Sequence, residues 1–438
     1  MRFRIMVFAL VAMVGCGRSP ATDDAPIDFD RSFARALRTS VPAYPGADVE
    51  IALALVGNDG SPMSLDAPVR IGCRGANPRG DGQPVRRGRY RFWVEPRLDA
   101  RRATCAISLG SRVFPKAVGF DIVAPCARET EEIDRTRADA IARRYAPVFY
   151  QDVGRSPRAD FLAAIDFDDN LDARDNRENL DAWPLVGTVY YSVVETSTHV
   201  FVVYAVFHPV NYGFLLDGTS EFTENNMTGL LVVADRSAPD RPPIFVETYV
   251  DGQFLQYSGD ARILPRSENI DGVVPFEDRT HPRVFLEAGR HGCLISSDIV
   301  IGEFTGEPGG NFLGGDGVVY RAADEAREPE SPNDRNASYR LVSTFDTLWK
   351  MRGAGERSPL FVDTFRMETG CEYPERFASS GGVRRGGRPP WAWDDTDDED
   401  VRIGEWFLWP AWVTQSHVQM PQPFDLQYVS NPCLGVGD

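Results

Sequence analysis

The chain has 438 residues and a formal net charge of −17, from 47 Lys and Arg against 64 Asp and Glu. This acidic balance argues against nucleic acid and anionic membrane surfaces as electrostatic partners. The 39 Gly, 32 Pro and 11% aromatic residues favour a loop-rich β protein over a helical bundle. At this length two domains are expected.

Residues 1–16 have the layout of a bacterial lipoprotein signal peptide. Arg2 and Arg4 precede an apolar run from Ile5 to Val14, which is too short to span a bilayer, and Cys16 follows Gly15. The end of this run resembles a lipobox, which implies lipid on Cys16. The predicted location is therefore the outer membrane, with the lipid as the contact to it. An ordinary cleaved signal with an incidental Cys is the alternative.

Six further cysteines indicate disulfides in an oxidising compartment. Their neighbourhoods in the sequence favour the pairs Cys73–Cys105, Cys293–Cys371 and Cys126–Cys433, although six cysteines allow other pairings. No CxxC motif is present, which argues against a zinc site made of cysteines.

The chain divides at composition changes. Residues 17–45 are predicted to be a tether, and residues 46–126 a small β-sandwich. The sandwich rests on five short β-like runs, at 49–55, 68–74, 88–94, 103–109 and 118–124. A helix over 129–147, acidic at its start, basic near its end and stopped by Pro147, opens the second domain, 127–438.

The second domain is predicted to be a larger antiparallel β-sandwich-like domain with few helices, so the whole chain is mainly β. Its centre is the pair 185–195 and 199–208. Both faces of the second run are apolar, which indicates a central strand covered on both sides. Further strands are predicted at 230–234, 243–250, 282–289 and 317–322.

Several blocks of the second domain occur in the same order in a group of exported β-rich proteins of bacteria and fungi. The blocks are ENLDAWPLVGTVYYSVVETSTHVFVVYAVFHPVNY, TENNMTG, HPRVFLEAGRHG, PPWAWDD and WFLWPAW. At greater distance the group resembles the vacuolar protein sorting-associated protein sixty-two family. The resemblance covers about 145–415 and implies a β-sandwich with a polar edge, for which cation binding is one interpretation.

The polar residues of these blocks define a candidate site, formed by His208, Glu224, Asn225, Asn226 and His291. The group's pattern has a His and two acids where this chain has Thr223, Asn226 and Thr228. Hard cations prefer anionic oxygens, and acid–base catalysis needs a titrating group. We therefore expect the stretch 221–229 to lie at the rim of the central sheet, near both histidines, without being a working catalytic centre.

Two interpretations of this site remain open. His208, Glu224 and His291 offer two imidazoles and a carboxylate, a set that could bind zinc or a similar divalent cation. Alternatively, these residues are hydrogen-bonded groups at strand ends. The acidic loop 166–181 departs from the EF-hand pattern at Leu171 and Arg177, which leaves an irregular calcium loop or a solvated loop. No catalytic residue and no cofactor is firmly implied.

Three functions from different classes follow. The favoured one is a surface-anchored lipoprotein that binds or scaffolds, with a protein or glycan ligand and no nucleic acid. The alternatives are a metal-assisted hydrolase using His208, Glu224 and His291, and a toxin-like β-sandwich that acts on membranes. The sequence favours a protein that is not an enzyme, since it contains no GxSxG, no HExxH and no P-loop.

Overall fold

The structure is a computed structural model, and it describes a defined part of the chain. The described residues are 33–36, 40–42, 49–57, 62–63, 68–86, 88–97, 102–114, 117–123, 135–154, 156–214, 220–250, 252–295, 316–352, 358–367, 371–380, 386–397 and 401–434. The predicted signal peptide, with Cys16, and also Cys126 lie outside them.

The N-terminal domain is a β-sandwich, as predicted. Its strands are β1 Phe33–Ala36, β2 Ser40–Pro42, β3 Val49–Val56, β4 Val69–Arg74, β5 Ala76–Pro78, β6 Gln83–Arg86, β7 Arg89–Pro96, β8 Arg102–Leu109, β9 Arg112–Val113 and β10 Val118–Val123. One sheet has the order β1-β3-β7-β5 with β6 beside β7, and the other has the order β2-β10-β8-β4 with β9 beside β8. Alternating burial along β7 and β8 places one face of each sheet in a common core.

The predicted boundary of this domain is too late. β1 pairs with β3, and β2 pairs with β10, so residues 33–42 contribute two strands to the sandwich. Their short length and few apolar residues hide them in a segment that is otherwise polar. The predicted tether is therefore wrong for these residues.

Helices are few, as predicted. Those in the described ranges are α1 Arg135–Arg144, α2 Asn176–Asn179, α3 Leu348–Met351, α4 Glu405–Leu408 and α5 Pro410–His417, with short 3-10 turns at Pro157–Asp160, Pro390–Ala392 and Pro432–Leu434. α1 confirms a helix inside 129–147, and residues 124–134 lie outside the described part. None of the described helices is long and apolar enough to cross a membrane.

One large sheet organises the second domain. Its strands are β11 Val148–Val153, β12 Thr188–Thr196, β13 His199–Phe214, β14 Ser220–Asp235, β15 Phe245–Val250, β16 Gln253–Ser258, β18 Gly272–Val273, β19 Phe276–Glu277, β20 His281–Leu286, β21 Cys293–Leu294, β22 Asp316–Ala322, β23 Ala337–Ser343 and β27 Tyr428–Ser430. The order is β18-β16-β15-β14-β13-β12-β23-β22-β11-β20-β19, with β21 beside β20 and β27 beside β12. Two small sheets pair β17 Leu264–Pro265 with β26 Val418–Gln419, and β24 Phe361–Arg366 with β25 Glu372–Phe377.

The prediction of a plain antiparallel sandwich is wrong for this domain. The sheet is mixed and curled into a half-barrel. β12 pairs in parallel with β23, β23 with β22, and β11 with β20. Parallel pairing needs a connection of about a dozen residues or more between the two strands. β12 with β23 and β11 with β20 come from distant parts of the chain, whereas only residues 323–336 connect β22 to β23. Sequence neighbourhood alone therefore suggested the wrong sheet type.

The two longest strands, β13 and β14, lie at the centre of this sheet. Residues 199–210 of β13 are all buried, which confirms a strand covered on both sides. The strand was expected to end near His208, but it continues to Phe214. On the β14 side, Trp393 packs against Tyr249, with ring centroids 4.7 Å apart and an interplanar angle of 12°.

The cysteines follow the prediction only in part. Cys73 and Cys105 face each other across β4 and β8 and form a disulfide. Cys293 and Cys433 are buried free thiols, so the predicted pairs Cys293–Cys371 and Cys126–Cys433 are wrong. Cys293 lies in β21 of the large sheet, whereas Cys371 precedes β25 of a separate small sheet. Cys371 is disulfide-bonded, and neither Cys293 nor Cys433 is its partner.

Candidate functional site

His208 lies in the middle of the central sheet. It is on β13, opposite Asn226 on β14, and its side chain is fully buried. The next pair in the register joins Val210 to Glu224, so Pro209 and Asn225 form a local irregularity in the ladder. Asn225 has a φ of 58°, a left-handed conformation that Asn tolerates better than most residues. Proline has no backbone N–H to donate, and at this irregularity no ladder hydrogen bond requires one.

Gln151 on β11 fixes which ring nitrogen of His208 carries the proton in the neutral imidazole. The Gln151 amide nitrogen donates to the carbonyl oxygens of Asp152, at 2.8 Å, and Glu287, at 3.4 Å. Its Oε1 is therefore the atom that faces His208 Nε2, at 2.9 Å, and Nε2 donates to it. The remaining nitrogen, Nδ1, is buried without a hydrogen-bond partner. Burial lowers the pKa of His208 well below its usual value, and His291 lowers it further.

His291 is held by a carboxylate from a different part of the chain. It lies in the turn after β20 with a φ of 59°, and its Nε2 donates to Asp160 Oδ1 at 3.0 Å. The backbone N–H groups of Gly289, at 2.7 Å, and Gly154, at 2.8 Å, also donate to this carboxylate. Both His291 and Asp160 are buried. The turn, the carboxylate and the imidazole therefore form one closed hydrogen-bonded unit.

The two imidazoles stack on each other. Their centroids are 3.7 Å apart and their planes differ by 5°. The lone pair of an imidazole nitrogen lies in the plane of its ring, so stacked parallel rings direct their lone pairs side by side. Zinc–nitrogen bonds of about 2.0–2.1 Å need lone pairs that converge on the ion. The pair is therefore built for packing and not for shared coordination of a metal.

Glu224 does not join the histidines. Its side chain is buried, and its two carboxylate oxygens accept from the backbone N–H of Ser380, at 2.6 Å, and from the Ser380 hydroxyl, at 2.7 Å. Its own carbonyl accepts from Gly387 N at 3.0 Å. Glu224 thus anchors the segment after β25 to the central sheet. The structure brings His208 and His291 together, but not Glu224.

The neighbouring amides also have structural contacts. Asn225 Nδ2 donates to the carbonyls of Ala173 and Ala378, both at 2.6 Å, and its Oδ1 accepts from Asn176 at 2.7 Å. Asn226 Nδ2 donates to Arg290 O at 3.2 Å and lies 3.4 Å from His291 Nδ1. The stretch 221–229 therefore lies in the first part of β14, which begins at Ser220, and its first residues pair with the last residues of β13.

The described residues contain no group of three or more His, Cys, Asp or Glu side chains placed to hold a metal ion. In the acidic loop 166–181, Asp168 Oδ2 accepts from the side-chain amides of Asn170, at 2.9 Å, and Asn179, at 2.7 Å. Asp172 Oδ1 accepts from Arg174 at 3.0 Å. These two oxygens thus have hydrogen-bond partners within the chain itself.

Sequence reasoning missed several members of the buried cluster. Gln151, Asp152 and Asp160 come from segments that carried no motif. One signal was available in the sequence. Gln151 and Asp152 interrupt the apolar run of β11, and polar residues inside a covered strand need hydrogen-bond partners. Burial raises the pKa of Asp152 to about 6, and the nearby Asp160 contributes in the same direction.

A second buried network was also missed. The Glu247 carboxylate of β15 contacts His417 Nδ1 and accepts from the indole N–H of Trp406, and Gln256 Nε2 donates to it at 3.1 Å. Glu247, Gln256, Trp406 and His417 are all almost fully buried. The acid inside the apolar run IFVETYV was the available signal. This network ties α4 and α5 to the sheet.

No family model matches this chain, and no curated protein matches it. Among solved structures, the adhesin InvE of Yersinia pseudotuberculosis is similar at 8% identity and a TM-score of 0.19, over 48% of this chain and 57% of that one. The Escherichia coli adhesin FdeC is similar at 9% identity and a TM-score of 0.20, over 49% of this chain and 61% of that one. The structure of NLPPya in complex with glucosamine is similar at 11% identity and a TM-score of 0.24, over 40% of this chain and 72% of that one. The chain thus spans less than two thirds of the two adhesins, and likeness at this level carries no information about function.

Proposed function

We propose that this chain is an exported lipoprotein of the bacterial outer membrane with a binding or scaffolding role, anchored through Cys16. We further propose that its second domain belongs to the exported β-rich group that its sequence blocks resemble. The observation that supports a role without catalysis is the burial of His208, Glu224 and His291, each bonded within the chain. A substrate would have no access to these side chains.

The anchor is tested by fractionation. Replacing Cys16→Ser removes the thiol that would carry the lipid, so the protein should leave the membrane fraction. Cys433→Ser is the control, because Cys433 is a buried thiol far along the chain. The membranes are washed at high salt, which releases proteins that are held by charge alone. An unchanged membrane fraction for Cys16→Ser after this wash would show that the anchor is not there.

Trp183 is our candidate for a ligand contact. Of the eight tryptophans it is the most exposed, at 41%, whereas most of the others are buried. Arg158 holds its backbone segment by donating to the carbonyls of Leu180, at 2.9 Å, and Trp183, and it also pairs with Glu328. A large aromatic surface on a fixed segment loses little conformational entropy on binding. The exposed Asp181 carboxylate nearby in the chain could accept from ligand hydroxyl or amide groups.

A glycan array with the soluble Cys16→Ser chain tests this contact, because an indole face stacks well on the C–H face of a sugar. Binding should be lost in Trp183→Ala and kept in Leu264→Ala, which removes an exposed apolar side chain elsewhere. Absence of any glycan binding, or equal loss in both variants, would contradict a sugar contact at Trp183.

A further inference from the structure

The N-terminal sandwich has a positive net charge, although the net charge of the whole chain is −17. Residues 46–126 contain 12 Lys and Arg and 8 Asp and Glu, a net charge of +4, whereas residues 127–438 contain 29 and 52, a net charge of −23. The small domain next to the predicted anchor is therefore basic, and the large domain is acidic. The exclusion of anionic surfaces holds for the chain as a whole but not for this domain.

The arginines of the sandwich differ in their surroundings. On the sheet that contains β7, Arg91 pairs with Glu50 at 3.1 Å, and Arg79 pairs with Glu95 at 2.6 Å. These two ion pairs neutralise two of the positive charges near that sheet, and Arg89 of β7 is exposed. The other sheet carries Arg70 and Arg74 on β4 and Arg102 on β8, all exposed.

Small residues separate the three arginines on their face of the sheet. Outward positions alternate along each strand, so Arg70, Gly72 and Arg74 of β4 lie beside Ser108, Ala106 and Thr104 of β8. The Arg102 guanidinium extends over Gly119 of β10, and its Nη2 would be 2.9 Å from a Cβ added there. Small residues between the arginines leave this face, which we call the arginine face, open to a broad surface.

Two of the charges on the arginine face, those of Arg70 and Arg74, are exposed to solvent. The Arg70 side chain is 65% exposed, and its contact with Asp81, itself 53% exposed, is long at 3.5 Å. Such exposed pairs contribute little and exchange readily with other anions. Arg74 has no ion-pair partner among the residues that the structure describes. The Cys73–Cys105 disulfide links the two strands that carry the arginines, which fixes their spacing.

We propose that the arginine face docks on the anionic headgroups of the membrane that holds the chain, with the acidic domain directed away from it. The inference rests on the proposed anchor at Cys16, because 17 residues from Cys16 to Phe33 can extend at most about 60 Å and keep the sandwich near the lipid. Each arginine close to such a surface favours binding roughly fivefold. The anionic headgroups also repel the acidic second domain. This repulsion favours the same orientation, with the sandwich on the membrane.

Vesicle sedimentation of the soluble Cys16→Ser chain tests this without depending on acylation. We expect binding to vesicles of equal parts phosphatidylcholine and phosphatidylglycerol, no binding to phosphatidylcholine alone, and release at high salt. Arg70→Glu with Arg74→Glu should weaken the binding at least about twentyfold. The control, Arg262→Glu with Arg366→Glu, makes the same change in net charge at exposed sites of the second domain and should leave binding nearly unchanged.

Three outcomes would overturn the proposal. The first is equal binding to both vesicle types, and the second is equal loss in the two double variants. The third is salt-sensitive self-association that the arginine variant abolishes, which would show that the face binds the acidic domain of a second copy. Salt-sensitive vesicle binding by Cys16→Ser together with retention of that variant in cell membranes after a high-salt wash would support the docking face and contradict the proposed anchor.

Discussion

The buried charges of the second domain are stabilised by partners from distant segments. Glu195 of β12 accepts from Arg137 of α1, at 2.6 and 2.7 Å, and from Arg236, at 2.8 Å. Burial alone would raise the pKa of Glu195, but these hydrogen bonds outweigh it and hold the pKa below its ordinary value. The ion pairs therefore hold α1 against the sheet at neutral pH and weaken only as Glu195 is protonated in acid.

His199 gives the clearest pH prediction. Burial beside Phe424 lowers its pKa to about 4, so the folded protein holds it neutral where the unfolded chain is protonated. Stability from this group is present above the unfolded pKa of about 6.5 and is lost as the pH falls towards 4. His199→Gln should therefore reduce the loss of unfolding free energy between pH 7 and pH 5 by about 2 kcal/mol.

Urea unfolding of both proteins at the two pH values measures this difference. Asp152, whose pKa is raised to about 6, acts in the opposite sense, because the folded state takes up its proton before the unfolded chain does. Its contribution is common to both proteins and cancels in the comparison. An equal pH dependence in the two proteins would mean that His199 is solvated.

At the scale of elements, close approach decides where glycine is needed. A Cβ on Gly229 of β14 would lie 2.0 Å from the Tyr204 carbonyl oxygen and 2.9 Å from Trp393, whereas a Cβ on Gly72 of β4 would meet nothing within 4 Å. Gly229→Ala should lower the free energy of unfolding by about 1–3 kcal/mol or more, because the backbone and the tryptophan must both shift. Gly72→Ala should change stability by less than about 0.5 kcal/mol.

Thermal unfolding of the two alanine variants checks this prediction. The comparison is matched, since both glycines lie within strands and neither has a positive φ. A similar stability for both variants would contradict the packing of Trp393 over β14.

Strand positions were largely predictable, and strand partners were not. Apolar runs are local properties, so β3, β7, β8, β12 and β13 all fall on predicted runs. The parallel pairing of β12 with β23 joins residues about 150 positions apart, and no local pattern encodes it. The continuation of β13 beyond His208 was hidden because His208-Pro209 looks like a strand end, yet Asn225 accommodates it on the facing strand.

The same distinction applies to the candidate site. Sequence predicted that His208, Asn226 and His291 are neighbours, because each follows or interrupts a run assigned to the central sheet. It did not predict Gln151, Asp160 or Ser380, which reach the site from other segments and decide its chemistry. The orientation of two imidazoles and the partner of a carboxylate depend on those contacts.

At the scale of the whole molecule, the thiols give a direct prediction. The described part of the chain contains two buried free cysteines, Cys293 and Cys433, and burial raises the pKa of both thiols far above the usual value. Thiol reagents should therefore find neither of them in the folded protein and at least two reactive thiols after unfolding without reductant. No reactive thiol in the unfolded protein would restore the prediction that all six are paired.

The buried cluster of His208, His291 and Asp160 is proposed to be part of the fold and not a catalytic or metal centre. Zinc content tests this most directly, measured by elemental analysis after incubation with zinc and removal of the excess. The stacked rings and the engaged Glu224 predict the same substoichiometric zinc in the natural chain, in His208→Gln and in His291→Asn. One zinc per natural chain, lost in both variants while they remain folded, would contradict it.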